Sequence, residues 1–246
     1  MRHSSRNDDI PAFWFELMLL LMAGIAGSVD VLSYYGLGHV FTANMTGNTI
    51  VLGLSLGQGK FATSLHALTA LACFLAGAFA GSLIVENNNK NWKFFIRLSV
   101  SVEGILIVVF AAIWYFLLKN NTGFILYLSI ILPAVAMGMQ SATIRYLNIP
   151  GIVTTFLTGT ITSIGLSAVK GLRNGFKKKE NQNSALPVPK TLNQRIGLQL
   201  LVFITYFATA VFTGWLTRLH ETILPLVPIA FLFAVISILF IFLRKK

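Results

Sequence analysis

Apolar positions in this chain come in long, nearly unbroken runs, falling at about residues 12–35, 39–57, 61–85, 95–118, 124–147, 151–169, 197–217 and 223–243. Crossing the hydrocarbon core of a bilayer takes roughly 20 helical residues, and six of these runs are long and apolar enough to do so. The period-two alternation of a membrane barrel strand is missing from them. The other two runs, 39–57 and 151–169, are short and rich in Thr, Asn, Ser and Gly. One holds "FTANMTGN" at 41–48 and the other "VTTFLTGT" at 153–160.

Those two phrases belong to a longer internal match. Residues 22–59 laid on 134–171, at an offset of 112 without a gap, give identities at Tyr34/Tyr146, Thr42/Thr154, Thr46/Thr158, Gly47/Gly159, Gly53/Gly165, Leu54/Leu166, Ser55/Ser167 and Gly59/Gly171. A weaker echo follows, "FAG" at 79–81 against "FTG" at 212–214. The chain therefore divides into repeat A, about 10–118, and repeat B, about 119–246, within a single membrane domain spanning 1–246. Each half reads long span, short polar segment, span, span. If the short segments enter the membrane and return, each half crosses three times and the halves are inverted. If they cross, the halves are parallel. The expected fold is an all-α integral membrane protein with a two-fold internal repeat, inverted in the first case. It has six full transmembrane helices plus two short, polar, glycine-broken membrane segments.

Composition agrees with that class. The chain of 246 residues is 55% hydrophobic and 11% charged, with mean hydropathy +0.75. A soluble domain carries about 25% charged residues. The net charge of +11 is read as membrane sidedness and not as a nucleic-acid footprint, because Lys and Arg cluster in a few loops. With two returning segments, fifteen Lys and Arg residues share the side of the termini: Arg2, Arg6, Lys90, Lys93, Arg97, seven between Lys170 and Arg195, and Arg244 to Lys246. Lys60, Lys119 and Arg218 lie opposite, and Arg145 sits at a segment end. With eight crossings the same count is 14 against 5. Both arrangements put the termini and a basic loop at about 170–195 in the cytoplasm. Arg2 and Arg6 before the run from Phe13 resemble a signal peptide, but the run stays apolar past Gly27 and is read as the first span.

Candidate chemistry concentrates in the two phrases. Backbone outside a regular helix is tolerated at membrane depth only where protein or a water-filled cavity surrounds it. Gly47 and Gly159 sit where a helix can start or break, behind the capping candidates Thr42, Asn44, Thr154 and Thr155. A half-helix N-terminus there offers N–H groups and partial positive charge. The expected lining of a polar site is Thr42, Asn44, Thr46, Gly47 and Asn48 from the first phrase, and Thr154, Thr155, Thr158, Gly159 and Thr160 from the second. Close helix packing by small residues is the competing explanation, and it is preferred for Gly53, Ser55, Gly165 and Ser167. Charged groups at membrane depth are costly and mark function. Asp30 is expected to carry a proton or cation, or to pair with Arg145, and Arg145 alternatively to contact an anion. Gln140 is a further polar candidate. Glu103 either pairs with a basic residue such as Arg97 or faces the interior. No metal-ligand spacing, nucleophile elbow, P-loop or dinucleotide fingerprint occurs, so neither an enzyme nor a cofactor or metal is expected. The single cysteine, Cys73, lies in an apolar run and is read as packing.

The stretches "AGSVDVLSYYGLGHVFTANMTGN" and "MGMQSATIRYLNIPGIVTTFLTGT" resemble the YoaK family of uncharacterised bacterial multi-pass inner-membrane proteins. The resemblance covers most of the chain and implies about six spans in a bacterial cell membrane. It implies no substrate and no catalytic residue. The expected function is a transporter or channel for a small solute or ion, sited where the two broken segments meet near mid-bilayer. The alternative is a non-transporting scaffold, sensor or assembly factor working through its basic loop. Expected partners are the lipid bilayer, a small solute or ion and, compatible with the fold, further copies of the chain, but no nucleic acid.

Overall fold

The computed structural model describes residues 12–86, 92–119, 123–146 and 190–243, with isolated helical positions at 161, 162, 165 and 169. Its elements are α1 (Ala12–Gly36), α2 (Met45–Gly57), α3 (Phe61–Glu86), α4 (Trp92–Lys119), α5 (Gly123–Tyr146), α6 (Lys190–Leu216), a 3₁₀ turn at Glu221–Ile223 and α7 (Leu226–Leu243). All but α2 contribute to six stretches long and apolar enough to cross a membrane, the last of them running from Glu221 to Ile241. The protein is an all-α, multi-pass membrane protein.

Two boundaries differ from those the apolar runs predict. α2 begins at Met45, not near 39, because Gly38 (φ +76°) and His39 (φ +61°) adopt the left-handed conformation and stop helical propagation. A Cβ on Gly38 would also stand 2.6 Å from His66 Nδ1. α6 begins at Lys190, inside the stretch expected to be loop. Its first turns are polar and lie directly after Pro189. A hydropathy run stops where side chains become polar, although helical hydrogen bonding does not.

Helix directions follow from which side chains meet. The ring of His66 stands 5.2 Å from that of Tyr127, and Gly81 lies against Met139 and Ala142, so α3 and α5 run the same way. Ser99 meets Thr143 while Trp114 meets Gly36, so α4 runs with α1 and against α5. Gly24 meets Phe231 and Tyr35 meets Glu221, so α7 opposes α1. α6 runs along α1, with Gly27 against Tyr206 and Leu216 in the same cluster as Leu32 and Leu37. One end of the bundle, called the near end, holds Ala12, Glu86, Trp92, Tyr146, Lys190 and Leu243. The far end holds Gly36, Phe61, Lys119, Gly123, Leu216 and Leu226. α1 thus ends, and α3 begins, at the far end.

α3 packs along α5, α1 along α6 and α7, and α4 along α5 and α7. The closest approaches are at glycine. A Cβ on Gly138 of α5 would stand 2.1 Å from the Phe74 carbonyl oxygen of α3, and one on Gly77 would stand 2.1 Å from the Val135 carbonyl oxygen. One on Gly27 of α1 would stand 2.5 Å from the Tyr206 carbonyl oxygen of α6. Lipid supplies no hydrophobic drive between helices, so close backbone contact of this kind is what holds them. The buried core falls into two apolar clusters. Met18, Met22, Ile96 and Val235 lie toward the near end, and Leu37, Phe110, Trp114 and Leu224 toward the far end.

Two outcomes are expected. Gly138→Ala must push α5 from α3 and destabilise the protein by about 1–3 kcal/mol or more, read by unfolding in mixed micelles. Gly53→Ala, where nothing lies within 4 Å of the new methyl, has no such cost. Reporter fusions at residues 58 and 121 should report the same side of the membrane, and one at 90 the opposite side.

Candidate functional site

The first polar phrase does not continue α1 and does not form a full span. After Gly36 the chain turns and folds back to the level of Asp30, six residues before the end of α1 and hence about 9 Å inside it at 1.5 Å per residue. α2 starts there and rises again for 13 residues, about 20 Å. It then turns at Gly59 (φ +69°) and returns as α3, with Ser55 and Ser64 hydroxyls 2.8 Å apart between the two helices. The result is an irregular stretch, 37–44, inside the depth of a transmembrane helix.

Side chains of the phrase and of α1 satisfy the backbone of this stretch. Asp30 is 3% exposed. Its Oδ1 accepts the amides of Thr42 at 2.9 Å, Ala43 at 2.7 Å and Asn44 at 3.3 Å. Its Oδ2 accepts the Tyr206 hydroxyl of α6 at 2.6 Å. All four partners donate, which suits the acceptor-only character of an ionised carboxylate. Buried amides without partners cost about 1–3 kcal/mol each, so one carboxylate removes most of the expense of breaking the helix here. The hydroxyls of Ser33 and Thr42 lie 3.0 Å apart. Asn48, fully buried, grips Phe41 from both sides. Its Nδ2 donates to the Phe41 carbonyl at 2.6 Å, and its Oδ1 accepts the Phe41 amide at 2.8 Å. Asn44 is the N-cap of α2 and accepts the Gly47 amide at 3.2 Å. The Phe41 ring stacks on Tyr34 at 5.1 Å and covers Gly47, where a Cβ would stand 2.8 Å from it.

This sorts the expected site residues. Asp30, Thr42, Asn44, Gly47 and Asn48 come together, but the side-chain oxygens of Asp30, Thr42, Asn44 and Asn48 are engaged with the chain itself. Thr46, in the first turn of α2, is exposed. Gln140 is buried on α5 and donates to the Met22 carbonyl of α1 at 3.1 Å, toward the near end from Asp30. Arg145 is exposed in the last turn of α5. Met22 and Gln140 are in contact, and Asp30 and Arg145 diverge from them in opposite directions. The two charges are therefore about 20 Å apart along the bundle. The expected Asp30–Arg145 pair is not formed, because neutral donors already fill the carboxylate. Thr154, Thr155, Thr158, Gly159 and Thr160 lie outside the described residues. Tyr206 is the member that sequence reasoning missed. Its only signal was a phenol inside the apolar run of α6.

The family-model comparison matches residues 18–239 to DUF1275, a protein family of unknown function. The chain belongs to this family. It is also 33% identical over 226 residues, covering 91% of its own length and 93% of the relative, to the UPF0700 transmembrane protein YoaK of Bacillus subtilis (strain 168). No solved structure matches it.

The Asp30 cap yields a stability test. Asp30→Ala leaves three amides and the Tyr206 hydroxyl without their acceptor, for a loss of about 3–5 kcal/mol. Tyr206→Phe removes one donor and costs about 1–2 kcal/mol. Unfolding in mixed micelles should rank the two in that order. Equal losses would mean that Asp30 does not hold the 42–44 turn.

Proposed function

We propose that the protein is a transporter or channel for a small solute or ion, built from two inverted repeats. The observation that carries this reading is the broken stretch 37–44 inside the membrane, with a half-length helix starting from it. Irregular backbone at this depth is expensive in lipid, and here a buried carboxylate, an asparagine and a second helix are committed to holding it. Interrupted helices of this kind recur at the binding sites of transporters made from inverted repeats.

The packing supports the inverted relation. Exchanging α1 with α5, α3 with α6 and α4 with α7 turns the α3·α5 contact into α6·α1, and α4·α5 into α7·α1, and leaves α4·α7 in place. Each exchanged pair runs in opposite directions. The close glycine contacts obey the same exchange: Gly138 lies on the Phe74 carbonyl, and Gly27 on the Tyr206 carbonyl. Tyr146 and Lys190 both lie at the near end, as do Ala12 and Leu243. The distribution of Lys and Arg supports a cytoplasmic near end.

Because Thr42, Asn44 and Asn48 are engaged in shaping the break, the ligand-facing role narrows to Thr46 and the first turn of α2. Thr158 is its counterpart in repeat B. The purified protein in liposomes should then carry flux of a small ion or metabolite across a screening panel. Thr46→Val, which keeps shape and loses the hydroxyl, should cut that flux about tenfold, the equivalent of one lost hydrogen bond of about 1.4 kcal/mol. Undiminished flux in the variant would remove Thr46 from the site. No flux of any kind, with activity in cells abolished by trimming 174–190, would favour a scaffold or sensor acting through the basic loop.

A further inference from the structure

Glu103 lies near the middle of the membrane stretch of α4, Phe94–Phe116, and is fully buried. Neither of its carboxyl oxygens has a hydrogen-bond partner. It forms no ion pair with Arg97, the nearest basic residue on its own helix, which lies six residues, about 9 Å, toward the near end. The face of α4 that carries it also carries Ile96, Val100, Ile107 and Phe110, all buried. A carboxylate in such surroundings without a partner is far more expensive than the neutral acid. Buried structural acids elsewhere in this fold are treated differently: Asp30 receives four donors. Glu103 is the buried acid that the fold leaves unsatisfied among the described residues.

One helical turn toward the near end, Ser99 lies on the same face of α4, and its hydroxyl is 2.8 Å from that of Thr143 on α5. Both are fully buried. Thr143 also donates to the Met139 carbonyl at 3.0 Å. The pair places hydroxyl oxygens, which can accept from water, one turn from Glu103 in the direction of the near end. We propose that Glu103 is a proton-binding site at the centre of the bundle, reached from the near end past Ser99 and Thr143. On release the O–H bond of the Glu103 carboxyl breaks, the proton passes to water entering by that route, and the carboxylate stays until it is protonated again.

Among the described residues, no other charge lies beside the site. α7 contains no ionisable residue between Leu226 and Leu243. On α5, Tyr127 belongs to the far end, and Arg145 and Tyr146 to the last near-end turn. α3 carries His66 at its far end, Cys73 and, in its last turn at the near end, Glu86. The 3₁₀ turn contributes Glu221, at the far end. α4 itself adds Lys93 and Arg97 in its near-end turns and Tyr115 and Lys119 at the far end. Any role in coupling proton movement to a solute rests on the transport reading; the site itself does not.

Infrared spectroscopy of the full chain in lipid, labelled with carboxyl-¹³C glutamate, tests it directly. A protonated-carboxyl band that shifts with the label, converts to carboxylate as pH is raised and disappears in Glu103→Gln is expected. Glu103→Asp, a second and gentler variant, should move the band out of the labelled set while keeping the titration. Ser99→Ala and Thr143→Val should each slow hydrogen–deuterium exchange of the band about tenfold. Absence of a labelled acid band in the native protein would overturn the proposal. So would a band indifferent to both pH and D₂O, since that describes a sealed structural acid. A protein without solute flux but with the titrating band would retain the site and lose only the transport reading.

Discussion

The carboxylate of Asp30 is the constraint on which the far half of this bundle depends. Three consecutive backbone amides, from Thr42 to Asn44, point at one oxygen, and the Tyr206 hydroxyl at the other. Lipid offers those amides no partner, so breaking a membrane helix requires another acceptor. Asp30 provides it from α1, the helix being broken away from, and at the same time ties that helix to α6. The start of α2, its half-membrane length and its hairpin with α3 all follow from where those amides are held.

Around this cap the bundle is assembled by close backbone contact. Gly27, Gly77 and Gly138 each lie where a methyl group would meet a carbonyl oxygen of the neighbouring helix. Large side chains are turned outward instead, as at Leu75, Phe79, Phe207 and Phe233, where lipid accepts them at no cost. Among the large apolar side chains of the interior, Asp30, Gln140, Ser99, Thr143 and Glu103 are buried as well. The buried acids differ in one physical respect. Asp30 is fully supplied with donors and works as structure, while Glu103 has none and is free to change its protonation.

The two ends of the bundle are also unlike. At the far end Tyr35 donates to the Glu221 carboxylate and the Trp114 indole to the Glu221 carbonyl at 3.0 Å, so the 3₁₀ turn ties α1, α4 and the start of α7 together. At the near end Arg145 is exposed.

The sequence by itself determined the class of this protein and its six long apolar helices. Length and hydropathy suffice for that, since a bilayer imposes both on any span. It also marked Asp30, Asn44 and Asn48 as unusual, because polar groups at that depth need a reason. Only the tertiary structure decided what the reason is. Whether an asparagine faces a solute or its own backbone depends on where the chain turns, and the left-handed residues Gly38 and His39 turn it back on itself. Likewise Asp30 and Arg145 are both charged and near segment ends, but helix direction puts them toward opposite ends of the bundle. Tyr206 was illegible for the same reason: its partner is 176 residues away in the chain, and contacts at that separation are set by which helices pack together, a property no local pattern carries.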